Sequence, residues 1–359
     1  TPSPTPSSWK HPLSFKRDSQ KIKSPRAETF EVEKVKVFYL PDTELPLIDL
    51  TILLKAGSVD LAESKTGLAD VFKNVLVRGG TQDLSPGELA LVLDENAIQL
   101  SVSVDEEQTS VRLSVMTADW EKGLEILQAV LTRPGFDRAV LQVAKNRELV
   151  ALKRQGGDAM SVAMRESKIW HFKDHPYGRD PLMGLQTIPE ISTEDLQHFL
   201  KAYVVPENMT IAIAGDIHKE RIVSGLGQFL KAFPKSPAPQ RNLKDPSETP
   251  PVVVLIDKPG QVQSQVILSL PSLKRSHPDY WRASLMMDVF GGSDSLMYKR
   301  LRDDLGLVYS AGFYQTYKWQ AGQMVGYIGC KGDQTTAAIS ETLKLMDALR
   351  ESIPEKELE

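Results

Sequence analysis

The sequence predicts a mixed fold of helices and strands, arranged as two copies of one unit. Three observations predict it. Short apolar runs with strand periodicity alternate with amphipathic helical stretches, the same series of elements occurs twice, and the length of 359 residues suits two domains better than one core. Charged residues at 25% and apolar residues at 41% are ordinary values that exclude wholesale disorder.

The composition also excludes several classes of function. A total of 43 Lys and Arg against 47 Asp and Glu gives a formal charge of −4, which offers no basic footprint for nucleic acid or an acidic membrane surface. No apolar run approaches the roughly 18–20 residues that span a bilayer. The single cysteine, Cys330, excludes a disulfide within the chain and a cysteine-based zinc knuckle.

The first copy is predicted as two strands, two helices, a hairpin and a third helix. These elements are expected at residues 35–40, 47–54, 67–77, 85–95, 98–104, 110–116 and 120–131, with 41–46 as the turn between the first two strands. The pair Gly79–Gly80 ends the first helix, because glycine favours the residue after a helix C-terminus. Pro134 closes the last helix.

The second copy repeats this series. Its strands are predicted at 252–257, 265–270, 308–317 and 323–330, and its helices at 279–290, 296–304 and 335–349. Three anchors recur at nearly constant offsets of 215, 212 and 220 residues: Leu40 with Leu255, Gly79–Gly80 with Gly291–Gly292, and Pro134 with Pro354. Such spacing indicates an internal repeat. Chance alignment of short strands is the alternative.

The remaining segments predict the domain organisation. Residues 1–26 hold five prolines and six serines and are expected to form an extended arm. The first domain is expected at 27–234, where three or four helices, a strand at 209–214 and a helix at 219–233 follow the first copy. A proline-rich linker at 235–251 leads to a second domain at 252–359.

The second domain is expected to be incomplete, because it lacks a counterpart of residues 136–234. The arm shows no starting Met and no basic-then-apolar signal segment. These features leave the compartment undetermined, with an exported location such as the bacterial periplasm preferred.

Several motifs resemble the pitrilysin/insulinase family of zinc metallopeptidases, the inverzincins. They are Gly67-Leu-Ala-Asp-Val-Phe-Lys-Asn74 with Gly79-Gly-Thr81, Asp174-His-Pro-Tyr-Gly-Arg179, the run 203–215, Gly291-Gly-Ser-Asp-Ser-Leu-Met297 and Leu301-Arg-Asp-Asp-Leu-Gly-Leu-Val-Tyr309. The resemblance implies an α+β fold like that of mitochondrial processing peptidase, with two homologous domains of antiparallel sheet flanked by helices. Together with a second, similar half, these domains would enclose a chamber that holds a peptide.

The zinc motif of the family is degenerate here. Active members carry H-x-x-E-H on a helix, in which two imidazoles bind zinc and the Glu activates a water molecule. Asp70 and Asn74 stand at the His positions and Lys73 at the Glu position. Neutral Asn is a poor zinc ligand. A Lys ammonium cannot accept a proton from water at neutral pH and would repel a divalent cation.

The third ligand of the family, a carboxylate, is expected near Ala151 or Leu152, and Glu148 is the nearest acid, about one turn earlier. We therefore expect no metal in this chain and no peptide hydrolysis by the chain alone. A re-tuned metal site at Asp70, Asn74 and Glu148 is the alternative. His171 and His175 have the spacing of a metal pair, but Pro176 ends any helix there, which disfavours that interpretation.

Another part of the family's active site is retained. In active members the opposing half supplies an Arg and, seven residues later, a Tyr, both directed at the substrate carbonyl above the zinc. Arg302 and Tyr309 match that pattern. A guanidinium and a phenol can hydrogen-bond a peptide carbonyl and the oxyanion that develops from it. The alternatives are a surface salt bridge of Arg302 to Asp303 or Asp304, and an ordinary half-buried strand position for Tyr309.

Loss of the zinc motif with retention of the Arg/Tyr pair resembles the split enzymes of the family. The chain is thus predicted to be the subunit without zinc in a heterodimeric metallopeptidase. Its expected partners are a homologous subunit that carries the zinc and a peptide or unfolded polypeptide substrate. One rival is a catalytically dead homologue that acts as a scaffold or binds peptides. Another is an autonomous enzyme, for which the sequence shows no Gly-x-Ser-x-Gly motif and no phosphate-binding loop.

Overall fold

The computed structural model describes residues 25–247, 250–292, 294–353 and 355. The expected arm at 1–26 lies, apart from its last two residues, outside the described residues. The strands are β1 (Glu28–Val32), β2 (Val35–Pro41), β3 (Leu47–Leu54), β4 (Gln99–Val104), β5 (Thr109–Met116), β6 (Met209–Gly215), β7 (Gln263–Ser272), β8 (Val308–Tyr317) and β9 (Gly322–Lys331).

The α-helices alternate with these strands in groups. They are α1 (Leu68–Val75), α2 (Pro86–Glu95), α3 (Trp120–Thr132), α4 (Arg138–Gly157), α5 (Ala159–His171), α6 (Gly184–Thr187), α7 (Thr193–Tyr203), α8 (Lys219–Lys231), α9 (Tyr280–Gly291), α10 (Leu296–Tyr298) and α11 (Thr335–Glu351). Helix α10 continues as a π-helical turn over Lys299–Asp304. Within the described part of the chain, no helix combines the length and the apolar character needed to cross a bilayer.

The first sheet has six strands in the order β1-β2-β6-β3-β5-β4. Every neighbouring pair is antiparallel except β2 and β6, which are parallel. Although the sequence places β3 directly after β2, β6 lies between them, because it returns to the sheet only after the helical segment α4–α7. Strand β1 was not predicted, because its five residues are too few and too polar to show a strand period.

Helix α1 is amphipathic and is fixed at both of its faces. Leu68, Val71, Phe72 and Val75 are buried in the core of the first sheet, and the ring of Phe72 lies edge-on to that of Phe199 of α7 at 4.8 Å. The helix starts after Gly67, whose φ of +88° suits glycine. A Cβ at Gly67 would lie 2.5 Å from the Ile188 side chain. The opposite, polar face of α1 is directed at α4.

The second sheet has three antiparallel strands in the order β7-β9-β8. This is the order of their counterparts β3, β5 and β4 in the first sheet, so the topology supports the internal repeat. A separate core lies under it and includes Phe290, Met297, Leu301, Phe313 and Ile328. The predicted fold class, sheets rich in antiparallel pairs and flanked by helices, is confirmed.

The strand predicted at 252–257 is wrong. These residues form no strand in the structure, and the side chains of Val253 and Leu255 are 95% and 94% exposed. The apolar pattern is that of a strand, but a strand needs a neighbour to accept its backbone hydrogen bonds. In the first sheet β6 is that neighbour for β2. Among the described residues, the second sheet has no counterpart of β6.

Acidic residues in the β4–β5 turn join the two sheets. The carboxylate of Glu106 forms ion pairs with Lys168 of α5 and with Lys318 of the β8–β9 turn. The carboxylate of Glu107 accepts hydrogen bonds from the Tyr177 hydroxyl and, at 3.0 Å, from the backbone N–H of Trp319. We call these residues the junction cluster. The junction cluster holds the β8–β9 turn against the β4–β5 turn.

The predicted linker also contacts the first half of the chain. Its described residues, 235–247 and 250–251, have no regular secondary structure. Arg241 Nε donates to Asp60 Oδ1 at 2.7 Å, and Arg241 Nη2 donates to the backbone carbonyl of Glu107 at 2.6 Å. The predicted domain boundaries at 27–234 and 252–359 remain predictions.

Candidate functional site

The residues at the degenerate zinc motif bind one another. On the polar face of α1, Lys73 Nζ lies 2.6 Å from Asp70 Oδ1. Asn74 Nδ2 donates to the backbone carbonyl of Asp70 at 2.8 Å and to Glu148 Oε1 at 2.9 Å. The Asp70 and Glu148 carboxylates therefore each have a neighbouring donor from within the motif.

Glu148 lies against the motif, although it stands about one turn before the position where the third ligand of the family was expected. Helix α4 turns the Glu148 side chain towards α1, whereas Ala151 is exposed. Burial is the main cause of a raised pKa of Glu148, and the nearby charge of Asp70 adds to it. Lys73 and the hydrogen bond from Asn74 act in the opposite direction.

These residues do not fit a zinc ion. Tetrahedral zinc sites use Cys, His or carboxylate ligands without a competing ammonium group, and here Lys73 already pairs with Asp70. Over the described residues, no group of three or more His, Cys, Asp or Glu is placed to hold a metal ion. The arrangement instead joins α1 to α4 by hydrogen bonds.

A cavity of about 450 Å³ opens beside the motif, at the junction of the two sheets. Asp70 and Glu148 line it on one side, and Lys168 and Lys318 of the junction cluster on another. Sequence reasoning missed these two lysines, because Lys168 and Lys318 lie 62 and 212 positions away from Glu106 along the chain. Such pairs leave no local pattern.

Arg179 also lines this cavity and has a structural use. Its guanidinium donates to the backbone carbonyls of Ser58 at 2.8 Å and Leu61 at 2.6 Å. Burial lowers its pKa from the ordinary arginine value. Arg179 therefore holds the loop that precedes α1.

His171 and His175 do not point to a common centre. His171 ends α5, and its Nδ1 lies 2.9 Å from Ser269 Oγ on β7. His175 Nδ1 accepts the backbone N–H of Tyr177 at 3.1 Å, as the cap of a short 3₁₀ turn. Burial lowers the pKa of both imidazoles. The two side chains support different parts of the junction between the sheets.

Arg302 and Tyr309 lie side by side on the surface of the second unit, the part of the chain that contains the second sheet. The Arg302 guanidinium carbon is 5.9 Å from the centre of the Tyr309 ring, within the range of a cation–π contact. Arg302 Nη1 donates to the carbonyl of Val308 at 2.7 Å. Both side chains are exposed. Neither of them lines the cavity beside Asp70.

The backbone is irregular at both residues. Arg302 belongs to the π-helical turn after α10, and Gly306, with a φ of +61°, follows that turn. The pairing of β8 with β9 shifts register between Val308 and Ser310, which makes Tyr309 the extra residue of a β-bulge. Both irregularities occur more often at functional sites than elsewhere, and a bulge redirects the side chain it carries.

Comparison with known proteins identifies the family. A profile described as "Insulinase (Peptidase family M16)" matches residues 41–173, and one described as "Peptidase M16 inactive domain" matches residues 190–359. The "Non-peptidase homolog YmxG" of Helicobacter pylori is 24% identical over 330 residues, which are 91% of this chain and 76% of that protein.

Two further comparisons agree. The "Mitochondrial-processing peptidase subunit beta" of Saccharomyces cerevisiae is 23% identical over 262 residues, 71% of this chain and 55% of that protein. The crystal structure of a peptidase M16 inactive domain from Pseudomonas fluorescens superposes with a TM-score of 0.84 at 22% identity, covering 92% of this chain and 81% of that one. At this identity the structural match shows the fold. Since the two profiles match successive parts of the chain and the fold agrees, the chain belongs to the insulinase family of peptidases, family M16.

Proposed function

We propose that this chain is the subunit without zinc of a heterodimeric metallopeptidase and completes the active site of a zinc-bearing homologue. The observation that carries the proposal is the exposed Arg302–Tyr309 pair, in which a guanidinium and a phenol meet on two irregular stretches of backbone. A surface pair in this position is available to another polypeptide.

The chemistry of the pair suits a peptide carbonyl. A guanidinium has five N–H donors, and the bond to Val308 uses one of them and holds the planar group in place. The remaining donors and the Tyr309 hydroxyl would hydrogen-bond the substrate carbonyl. They would bind more strongly to the oxyanion that forms when the partner's zinc-activated water attacks.

The residues of the degenerate zinc motif favour a supporting role for this chain over peptide hydrolysis by the chain alone. Lys73 is paired with Asp70 and cannot serve as the general base, and the residues around it do not fit zinc. The name of the Helicobacter pylori relative, a non-peptidase homologue, agrees with loss of hydrolysis in such chains. The partner would be a homologous subunit that carries the zinc.

An open sheet edge supports a peptide substrate. Within the described residues, strand β4 is the last strand of the first sheet, and no strand pairs with the backbone groups of its outer edge. Val104 of this strand lines the cavity beside Asp70. An extended peptide or unfolded polypeptide can add to such an edge as a further strand. Binding of this kind depends on the peptide backbone and tolerates many sequences.

The test is reconstitution with a zinc-bearing homologue. Turnover of a fluorescently labelled unfolded polypeptide is measured for each chain alone and for the mixture. We expect activity only in the mixture, and a loss on the order of 10²-fold when Arg302→Ala or Tyr309→Phe is used. Tyr314→Phe, which changes another exposed tyrosine of β8, is the matched control and should keep full activity.

Sedimentation of each mixture shows whether the variants still assemble, which separates a defect in chemistry from a defect in association. Activity of this chain alone would contradict the proposal. Assembly without any effect of Arg302 or Tyr309 on turnover would favour the alternative, a catalytically dead homologue that acts as a scaffold or binds peptides. The Helicobacter pylori relative, described as a non-peptidase homologue, is compatible with that alternative as well.

A further inference from the structure

A second cavity lies between helix α5 and the second sheet and is lined by cations. Its volume is about 400 Å³, which is within the range of cavities that bind ligands. The positively charged residues that line it are Arg165 and Lys168 of α5, Arg179, and Lys318 of the β8–β9 turn. Among the residues that the structure describes, no acidic residue lines it. The cavity beside Asp70, by contrast, is lined by five acidic residues. We call the second cavity the cationic cavity.

The charge of the cationic cavity is only partly compensated by the chain itself. Glu106 pairs with both lysines, and the carboxylates of Glu166 and Asp180 lie 2.5 and 3.7 Å from the Arg165 guanidinium. These three carboxylates face four cations, which leaves one positive charge uncompensated. Arg179 forms no ion pair within the described part of the chain, where its guanidinium donates to two backbone carbonyls.

The residues of the cationic cavity also have hydrogen-bond donors that the chain does not use. Arg165 Nε and Arg179 Nε are buried and have no hydrogen-bond partner among the described residues. The same is true of the hydroxyl of Ser167, which also lines the cavity. A buried donor without an acceptor is unfavourable, so an acceptor supplied by a ligand would stabilise this arrangement. Guanidinium groups suit carboxylates and other oxyanions, because they offer planar, paired donors.

The chain's own Glu106 indicates which oxyanion these cations bind. Its carboxylate reaches Lys168 and Lys318 from the side of the other cavity, which it lines. The two cavities meet there, since both are lined by these lysines, Arg179 and Pro181. A glutamate side chain of a polypeptide is therefore already a ligand of this group of cations. An extended peptide that adds to the edge of β4, beside the other cavity, would pass the cationic cavity.

We propose that the cationic cavity binds an acidic side chain, Glu or Asp, of a peptide held by this chain, and that it selects acidic peptides. This inference rests on the peptide binding of the proposed function and adds the class of substrate. Arg165 contacts the incoming carboxylate, and Lys168 and Lys318 attract it. The methylene groups of the incoming side chain pack against Met164 and Val325, which also line the cavity.

Isothermal titration calorimetry of the purified chain with two peptides tests this proposal. The probe is an unlabelled peptide of alternating Thr and Val with one central Glu, and the control peptide carries Gln at that position. We expect the Glu peptide to bind about tenfold more tightly, because the control loses hydrogen bonds to a charged group. The preference should weaken as the salt concentration rises. Equal affinity of the two peptides, or no binding of either, would overturn the proposal, and this comparison involves no variant that could misfold.

Variants of the chain locate the preference. Arg165→Gln should abolish it, whereas Arg165→Lys, which keeps the charge, should retain part of it. Arg154→Gln is the matched control, because Arg154 of α4 is exposed and lines neither cavity. It changes the net charge by the same amount and should leave the preference intact. An equal loss in Arg165→Gln and Arg154→Gln would contradict the proposal, since a general effect of net charge would then explain the preference.

Inorganic phosphate, titrated alone, tests whether a free oxyanion is the ligand instead. Tighter binding of phosphate than of the Glu peptide would assign the cationic cavity to a free oxyanion and overturn the proposal. All of these measurements use the chain without a zinc-bearing partner. A Glu preference without turnover in the mixture of subunits would leave this inference intact and remove the proposed function, and turnover without a Glu preference would do the reverse.

Discussion

Replacement of Glu106 by Gln tests how the two sheets are held together. The Glu106 carboxylate is the common partner of Lys168 and Lys318, so Glu106→Gln removes one charge and leaves two ammonium groups facing a neutral amide. The side chain of Lys318 is only 15% exposed, whereas that of Lys168 is 37% exposed. The two pairs therefore contribute unequally.

The expected loss is about 2–3 kcal/mol in the free energy of unfolding. Breaking a fully buried ion pair costs about 3–5 kcal/mol, and the partial exposure of Glu106 and Lys318 reduces that to roughly 2 kcal/mol. The more exposed pair with Lys168 adds about 0.5–1 kcal/mol. The double variant Glu106→Gln/Lys318→Met should lose less than Glu106→Gln, because it removes the stranded ammonium as well as its partner.

Urea unfolding followed by tryptophan fluorescence measures these differences, and Trp319 reports on the junction cluster directly. Glu28→Gln is the matched control, because Glu28 and Lys219 form an ion pair at 3.2 Å in which both side chains are about half exposed. It should change the stability by less than about 0.5 kcal/mol. If Glu106→Gln costs no more than Glu28→Gln, or if the double variant is the less stable one, the junction cluster does not hold the sheets as described.

Two other predictions concern the first unit. On α8, Gly227→Ala should stabilise the protein by about 0.5–1 kcal/mol, because a Cβ there meets no atom within 4 Å. Gly225→Ala should destabilise it, because the Cβ would lie 2.8 Å from Trp120 Nε1. Equal shifts in the melting temperature of the two variants would contradict the packing of α8 on α3. Glu148→Gln should stabilise the protein at pH 7, because the folded-state pKa of Glu148 is raised and its ionisation is therefore unfavourable in the fold. That gain should shrink as the pH falls and vanish below the ordinary glutamate pKa, where Glu148 is protonated in both the folded and the unfolded state. Urea unfolding at pH 7 and pH 4 measures the change, and a gain that is independent of pH would exclude the proposed cause.

Local patterns predicted most of the secondary structure, because each element of the repeat carries its own apolar period. Strands β3 and β8 were predicted with their observed ends, and α1, α3 and α9 to within about two residues. The strand at 252–257 failed for a different reason. Its apolar sequence is typical of a strand, but strand formation is settled by a neighbour that lies far away in sequence.

The candidate site, too, could be predicted from the sequence only in part. The sequence predicts Asp70, Lys73 and Asn74 on one helix face and the spacing of Arg302 and Tyr309. It does not predict that Asn74 bonds to Glu148 across 74 residues. The β-bulge at Tyr309 is also invisible in the sequence, because it follows from a register shift between β8 and β9. Contacts between elements decide such features, and one sequence contains no direct record of them.

The amide bridge from Asn74 to Glu148 has a consequence for biosynthesis. In a zinc-bearing relative, the ligands on two helices must lose their protons and bind the metal before the metal can connect the helices. Here a neutral side chain makes that connection as soon as the helices meet. The connection between α1 and α4 in this structure is therefore a hydrogen bond between side chains and uses no metal ion. In the proposed heterodimer, one metallation event, at the partner subunit, would be enough to activate the assembly.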